Sequence, residues 1–202
     1  MNLADFMRQL GLTPTGGKKG EITRLRSQMN RLFKARITVD YDGDPNVDAG
    51  MQMQIATAKV LWWSSGDRNA DQRSLLPSTV KLSSEFFEEV IEHPVPISLD
   101  VLRTLRKSPM RLDIYAWLTH RMSYLRRRTT VSWEQLAAQF GSSFADDRFG
   151  RAKFRKHFKD HLAEVLLAYR EANVEVCETV VILRPSKTHI APKGQPKQLQ
   201  LP

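Results

Sequence analysis

Arg148, Arg151, Lys153, Arg155, Lys156 and Lys159 crowd the first half of one stretch, DRFGRAKFRKHFKDHLAEVLLAY, from Asp147 to Tyr169. Fixed guanidinium and ammonium groups at this density suit one kind of chemistry, the binding of a polyanion. Arginine can chelate a guanine edge through two hydrogen bonds, worth about 1–3 kcal/mol of discrimination, whereas contacts to phosphate give affinity and register only. A groove is entered most readily by the residues nearest a helix start, so Arg148, Arg151 and Lys153 are the candidate base readers. Arg155, Lys156 and Lys159 are candidate phosphate holders. Arg126, Arg127 and Arg128 precede a small strand and are placed to grip the flanking backbone. Lys18, Lys19, Arg24, Arg26 and Arg31 form an earlier cationic group, expected to meet phosphates. Arg184, Lys187 and Lys193 restore positive charge near the end. The plain alternative for each group is a solvated charged surface.

Elements must position these residues. Phe154, Phe158, Leu162, Val165, Leu166 and Tyr169 recur at steps of three and four, which predicts one helix with a cationic front and an apolar rear. Before it, Ser132 caps a short helix carrying Leu136, Ala137 and Phe140 and ending at Gly141. Ser108-Pro109 opens a longer one to about Tyr124, with Leu112, Tyr115, Ala116, Leu118, Thr119 and Met122 inward. Thr129–Val131 reads as a small strand, and Val174–Val176 with Thr179–Leu183 as a hairpin. In the first half, residues 3–10 and Glu21–Lys34 read as helices. Ala35–Tyr41 and Met51–Trp63 read as a hairpin around an acidic turn. Thr79–Leu82 reads as a strand and Ser83–Ile91 as a serine-capped helix.

The net charge of +9 and the pI near 9.9 favour nucleic acid, and after it an anionic membrane surface. No apolar run approaches the roughly twenty residues of a membrane span, and the start carries no signal-peptide pattern. A single cysteine, Cys177, excludes an internal disulfide and a multi-cysteine zinc site, and the compartment expected is a reduced cytoplasm. His157 and His161 have the spacing of a metal pair but lack further ligands. Gly16-Gly17-Lys18-Lys19 follows a helix and lacks the serine or threonine of a phosphate-binding loop. The histidines never sit two apart, as a rolling-circle nickase requires, and no hydrolase signature occurs. The expectation is a binder, neither an enzyme nor a carrier of a cofactor or metal.

The two halves overlay. Phe6–Gly11 corresponds to Leu136–Gly141, Gly20 falls opposite Gly150, and after a one-residue slip Leu25, Met29 and Phe33 fall opposite Phe154, Phe158 and Leu162. Each half continues as helix, glycine-containing loop, basic helix and hairpin, the order of a winged helix. The fold class expected is α+β and helix-rich, with tandem winged-helix domains, the first lacking its first helix. The expected domains are 1–66 and 79–184, with a linker over 67–78 and a flexible tail over 185–202. Asp40, Asp42, Asp44 and Asp48 in the first hairpin, and Glu175 and Glu178 in the second, would repel phosphates. The first hairpin therefore suits a protein partner or self-association, with Trp62 and Trp63 in its core or at that interface.

The segments LGLTPTGGKKGEITRLRSQM and PMRLDIYAWLTHR, with LPSTVKLSSEFFEEVI and LRPSKTHI, resemble the plasmid-encoded RepA-type replication initiators. The resemblance runs from residue 3 to about 191. It implies binding to duplex DNA repeats (iterons) at a plasmid origin, strand opening and recruitment of host replication proteins. Autoregulation of its gene, and a homodimer through the first domain, are implied in the same way. Such families usually carry an additional N-terminal segment, so a short form is expected here. A winged-helix transcriptional repressor is the alternative in the same physical class. A basic interaction module for acidic partners or membrane is the alternative in another.

Overall fold

The structure, a computed structural model, describes residues 3–41, 49–60 and 79–190, and the chain divides between Pro94 and Val95 into two units. The mixed helix and sheet content is the α+β class expected.

In the first unit α1 (Leu3–Gln9) leads to α2 (Glu21–Leu32). Between them the loop folds back over the start of α2. The Glu21 amide donates to the Thr15 hydroxyl at 3.0 Å, and the Thr23 hydroxyl donates to the Gly17 carbonyl at 2.8 Å. Gly17 has φ +90°, a left-handed conformation that glycine adopts without steric cost. A Cβ on Gly20 would collide with the carbonyl oxygens of Thr15 and Gly16. Next come β1 (Arg36–Tyr41) and β2 (Ala49–Gln54), an antiparallel pair. Lys59 tethers the sheet region to α2, with Nζ 2.6 Å from the Asn30 side-chain oxygen.

Three boundaries differ from those read in the sequence. The strand expected over Met51–Trp63 breaks at Ile55, which is buried, and resumes as β3 (Ala56–Val60). β3 pairs not with β1 but with β4 (Thr79–Leu82), across a distant part of the chain. The helix α3 (Ser84–Glu92) then packs on β2. Ser83 joins these pieces: its hydroxyl donates to the Gln54 carbonyl at 2.5 Å and accepts from the Phe86 amide at 3.1 Å. Residues 79–94 thus lie in the first unit, whereas the linker expected over 67–78 would have put them in the second. Trp62, Trp63, the 67–78 segment, Asp42, Asp44, Asp48 and Lys193 lie outside the described residues.

The second unit runs α4 (Leu99–Leu105), α5 (Pro109–Tyr124), β5 (Thr129–Ser132), α6 (Trp133–Phe140), α7 (Arg148–Ala168), β6 (Asn173–Val176) and β7 (Val180–Arg184). Its sheet has the order β5-β7-β6, all antiparallel, so β5 meets the hairpin on the inner strand. Ser132 ends β5 and caps α6 with a reciprocal bond to Gln135, which sets the corner between strand and helix. The core gathers Tyr115, Leu118, Trp133, Leu136, Phe154, Phe158, Leu162, Val165, Val181 and Leu183. Ile114 and Trp117 are buried too, because α5 is packed on more than one side.

The third difference is at the end. Residues 185–190, expected to open a flexible tail, are held against this core. The Tyr169 hydroxyl donates to the Lys187 carbonyl at 2.8 Å, and the His189 ring stacks on Tyr169 with centroids 5.1 Å apart. Burial pushes the Tyr169 phenol up to about 12. Its folded value is raised, so the stabilisation is complete below the unfolded value near 10 and fades as the pH climbs towards 12. A tyrosinate absorbance titration should show one group ionising near pH 12, and Tyr169→Phe should flatten the loss of stability over that window.

The glycine contacts yield a paired prediction. Gly20→Ala should destabilise the first unit by roughly 1–3 kcal/mol, as expected where backbone must shift. Gly16→Ala, where nothing lies within 4 Å of an added Cβ, should leave thermal unfolding nearly unchanged.

Candidate nucleic-acid interface

Three devices set the start of α7. The Gly150 amide donates to the Asp147 side chain at 2.6 Å, a helix cap. Gly150 is itself buried, and a Cβ there would collide with the Ala145 carbonyl. Gly20 at the start of α2 makes the same approach to the carbonyl five residues earlier, so the positions overlaid in sequence do the same steric work. Phe144, in the loop, meets the Phe154 ring edge-on at 5.5 Å. The loop is thus clamped to the helix from both sides.

The cations of α7 divide into two sets. Arg151 reaches Asp146 through Nη2 at 2.9 Å and Nε at 3.0 Å, and Arg155 lies 3.8 Å from Glu134. Both line the cleft of about 400 Å³ between α6 and α7. Lys159 places its ammonium over the Trp133 ring, 5.4 Å from the centroid. These three face α6. The Glu134 carboxyl sits below its usual value, chiefly through a hydrogen bond to its own backbone amide and one to Ser132, with Arg155 and Arg151 adding to the effect. Arg148, Lys153 and Lys156 are exposed, and their side chains engage no partner among the described residues. Lys153 and Lys156 lie on the side of α7 turned from the core.

His161 is not on that outer side. It is half-buried, its Nδ1 accepts from Arg111 Nε at 3.3 Å, and Arg111 continues to Glu164 at 2.6 Å. Burial lowers its affinity for a proton, and the Arg111 charge lowers it further. His157 packs against the Phe144 ring. No group of three or more potential metal ligands occurs among the described residues.

Elsewhere in the second unit Arg126, Arg127 and Arg128 are exposed just before β5, with no side-chain partner among the described residues. Arg184 is bound to Glu175 at 2.7 Å across the hairpin. The Lys187 side chain is exposed, although its carbonyl is held. In the first unit a shallow hollow along α2 collects Lys18, Lys19, Arg24 and Arg31, with the Thr23, Ser27 and Gln28 side chains between them. Arg24 has Glu21 at 3.6 Å, an exposed pair of small energetic weight. Arg26 is absent from this hollow and lies on another side of the helix.

Residues 1–135 match the family described as plasmid encoded RepA protein. The chain belongs to that family, a family of plasmid replication proteins. The RepA match takes in the first unit with its α2 hollow, then α4, α5, β5 and the start of α6. It stops before α7, whose role is argued from its geometry alone. No curated protein and no solved structure matches the chain. Among the described residues no helix is long and apolar enough to cross a membrane.

One exposed residue was not legible as part of this surface. Phe149 is 84% exposed at the start of α7, the highest value among the large apolar side chains of the described residues. In sequence it looks like a core residue slightly out of step. Only its phase against Phe154 and Phe158 signals the opposite face.

Proposed function

We propose that this RepA-family chain is a replication initiator that binds repeated duplex sites at its plasmid origin, with α7 in a major groove. In this reading it acts as a binder and not as an enzyme. The observation that carries it is the division of charge on α7. Arg151, Arg155 and Lys159 each meet a partner within the second unit, while Lys153 and Lys156 face away from the core and, with Arg148 at the helix start, have no partner among the described residues.

The order α5, β5, α6, α7, β6, β7 supports a winged-helix assignment for the second unit, in which α7 is the recognition helix. The α1–α2 pair followed by the β1–β2 hairpin supports a related module in the first unit. Base reading then falls to Arg148, Lys153 and Lys156. Arg151 and Arg155 have the role of holding the α6–α7 corner and touching phosphate from its edge. Arg126, Arg127 and Arg128, with Lys187, flank the second module. In the first unit the α2 hollow holds phosphate through Lys18, Lys19, Arg24 and Arg31.

Fluorescence anisotropy across a salt series tests the reading. The protein should prefer duplex DNA from its own plasmid origin over a shuffled duplex by about a hundredfold or more, and affinity should fall steeply with salt. Lys153→Ala and Lys156→Ala should each weaken binding, and each lysine that held a phosphate should lower the salt slope by about one. Equal affinity for both duplexes would refute the proposal.

A further inference from the structure

Phe149, Ala152, Lys153 and Lys156 stand at i, i+3, i+4 and i+7 on α7, so their side chains share one stripe. All four are exposed, and the stripe lies directly opposite the buried residues Phe154, Phe158 and Val165. It therefore points furthest from the core and would enter a groove deepest. A single exposed apolar side chain is ordinary on a protein surface. This one stands at the N-terminal end of the stripe, with two unpartnered lysines one and two turns on, which favours an occupant that carries anionic groups beside an apolar one.

The major groove of duplex DNA has that character. Phosphates line its walls, and the only apolar group on its floor is the C5-methyl of thymine. The ring of Phe149 is rigid and cannot accept or donate a conventional hydrogen bond, so it can read a methyl but not a polar base edge. Ala152, one turn on, keeps the helix surface low enough for close approach. We infer that Phe149 is a specificity-determining residue that reads thymine methyl groups, with Lys153 and Lys156 beside it on the same stripe. This inference rests on the DNA-binding reading proposed above and names what that site recognises.

The test is a two-by-two comparison on the full chain. Wild type and Phe149→Ala are titrated against duplex DNA from the plasmid's own origin, made with thymine or with deoxyuridine, which lacks the methyl. Wild type should lose about fourfold for each methyl contact when uracil replaces thymine. Phe149→Ala should bind the thymine duplex more weakly by a similar factor and be indifferent to the replacement. Its thermal unfolding should match wild type, because the side chain is almost fully exposed. Phe149→Leu, which keeps apolar contact, should retain part of the methyl dependence.

Two results overturn the inference while leaving origin binding intact: a wild type equally tight on both duplexes, or a Phe149→Ala variant that loses as much on uracil as wild type does. The second would place methyl reading elsewhere. Weakened binding by Phe149→Ala beside a wild type that shows no dependence on the methyl would reject methyl reading and assign the ring another contact. A wild type that cannot distinguish origin from shuffled duplex would overturn the DNA-binding reading, and this inference with it.

Discussion

The second unit depends on the seating of Phe158. Its ring meets Trp133 edge-on at 5.9 Å, Phe140 at 5.4 Å and Phe154 at 5.7 Å, so one side chain ties both ends of α6 to the middle of α7. Such pairs contribute about 0.5–1.5 kcal/mol each beyond the burial of their area. Trp117 extends the cluster onto α5 through Phe140, and Phe144 extends it into the loop through Phe154. The angle between α6 and α7 is therefore an outcome of ring packing, reinforced by the steric fit at Gly150. Any function that relies on the direction of α7 inherits that rigidity.

Charge is then sorted by position. A guanidinium on the α6 side of the helix finds a carboxylate within reach, as Arg151 and Arg155 do, and Lys159 finds an aromatic face. On the far side Lys153 and Lys156 make no ion pair among the described residues. Their mutual repulsion is modest in water but is relieved by a polyanion, so it favours binding. In the first unit α2 and the loop before it collect Lys18, Lys19, Arg24 and Arg31 along one hollow.

Much of this was legible because it is local. Ser83 and Ser132 each precede a helix and cap it, and the apolar run Val180–Leu183 becomes β7. The matching of Gly20 with Gly150 survives as a shared steric constraint. What escaped the sequence depends on distant partners. β3 looks like a continuation of β2 until β4 arrives from another part of the chain to pair with it. Residues 185–190 open with a proline and show no periodicity, yet Tyr169 and Tyr115 supply hydroxyls that hold their backbone and His189 in place. The cations of α7 could be counted in advance, but which would be engaged required the positions of Asp146, Glu134 and Trp133. Phe149 was hidden by its own residue type, since a phenylalanine beside an apolar stripe is usually part of the core.

The central claim is that the outward stripe of α7, and not the whole basic helix, meets origin DNA. Lysine acetylation footprinting followed by mass spectrometry tests it most directly, with the protein free, on origin duplex and on shuffled duplex at equal salt. Lys153 and Lys156 should be strongly protected by the origin duplex and little by the shuffled one, while Lys159, held against Trp133, should change least. Unchanged reactivity of Lys153 and Lys156 on an origin duplex that is demonstrably bound would contradict the account.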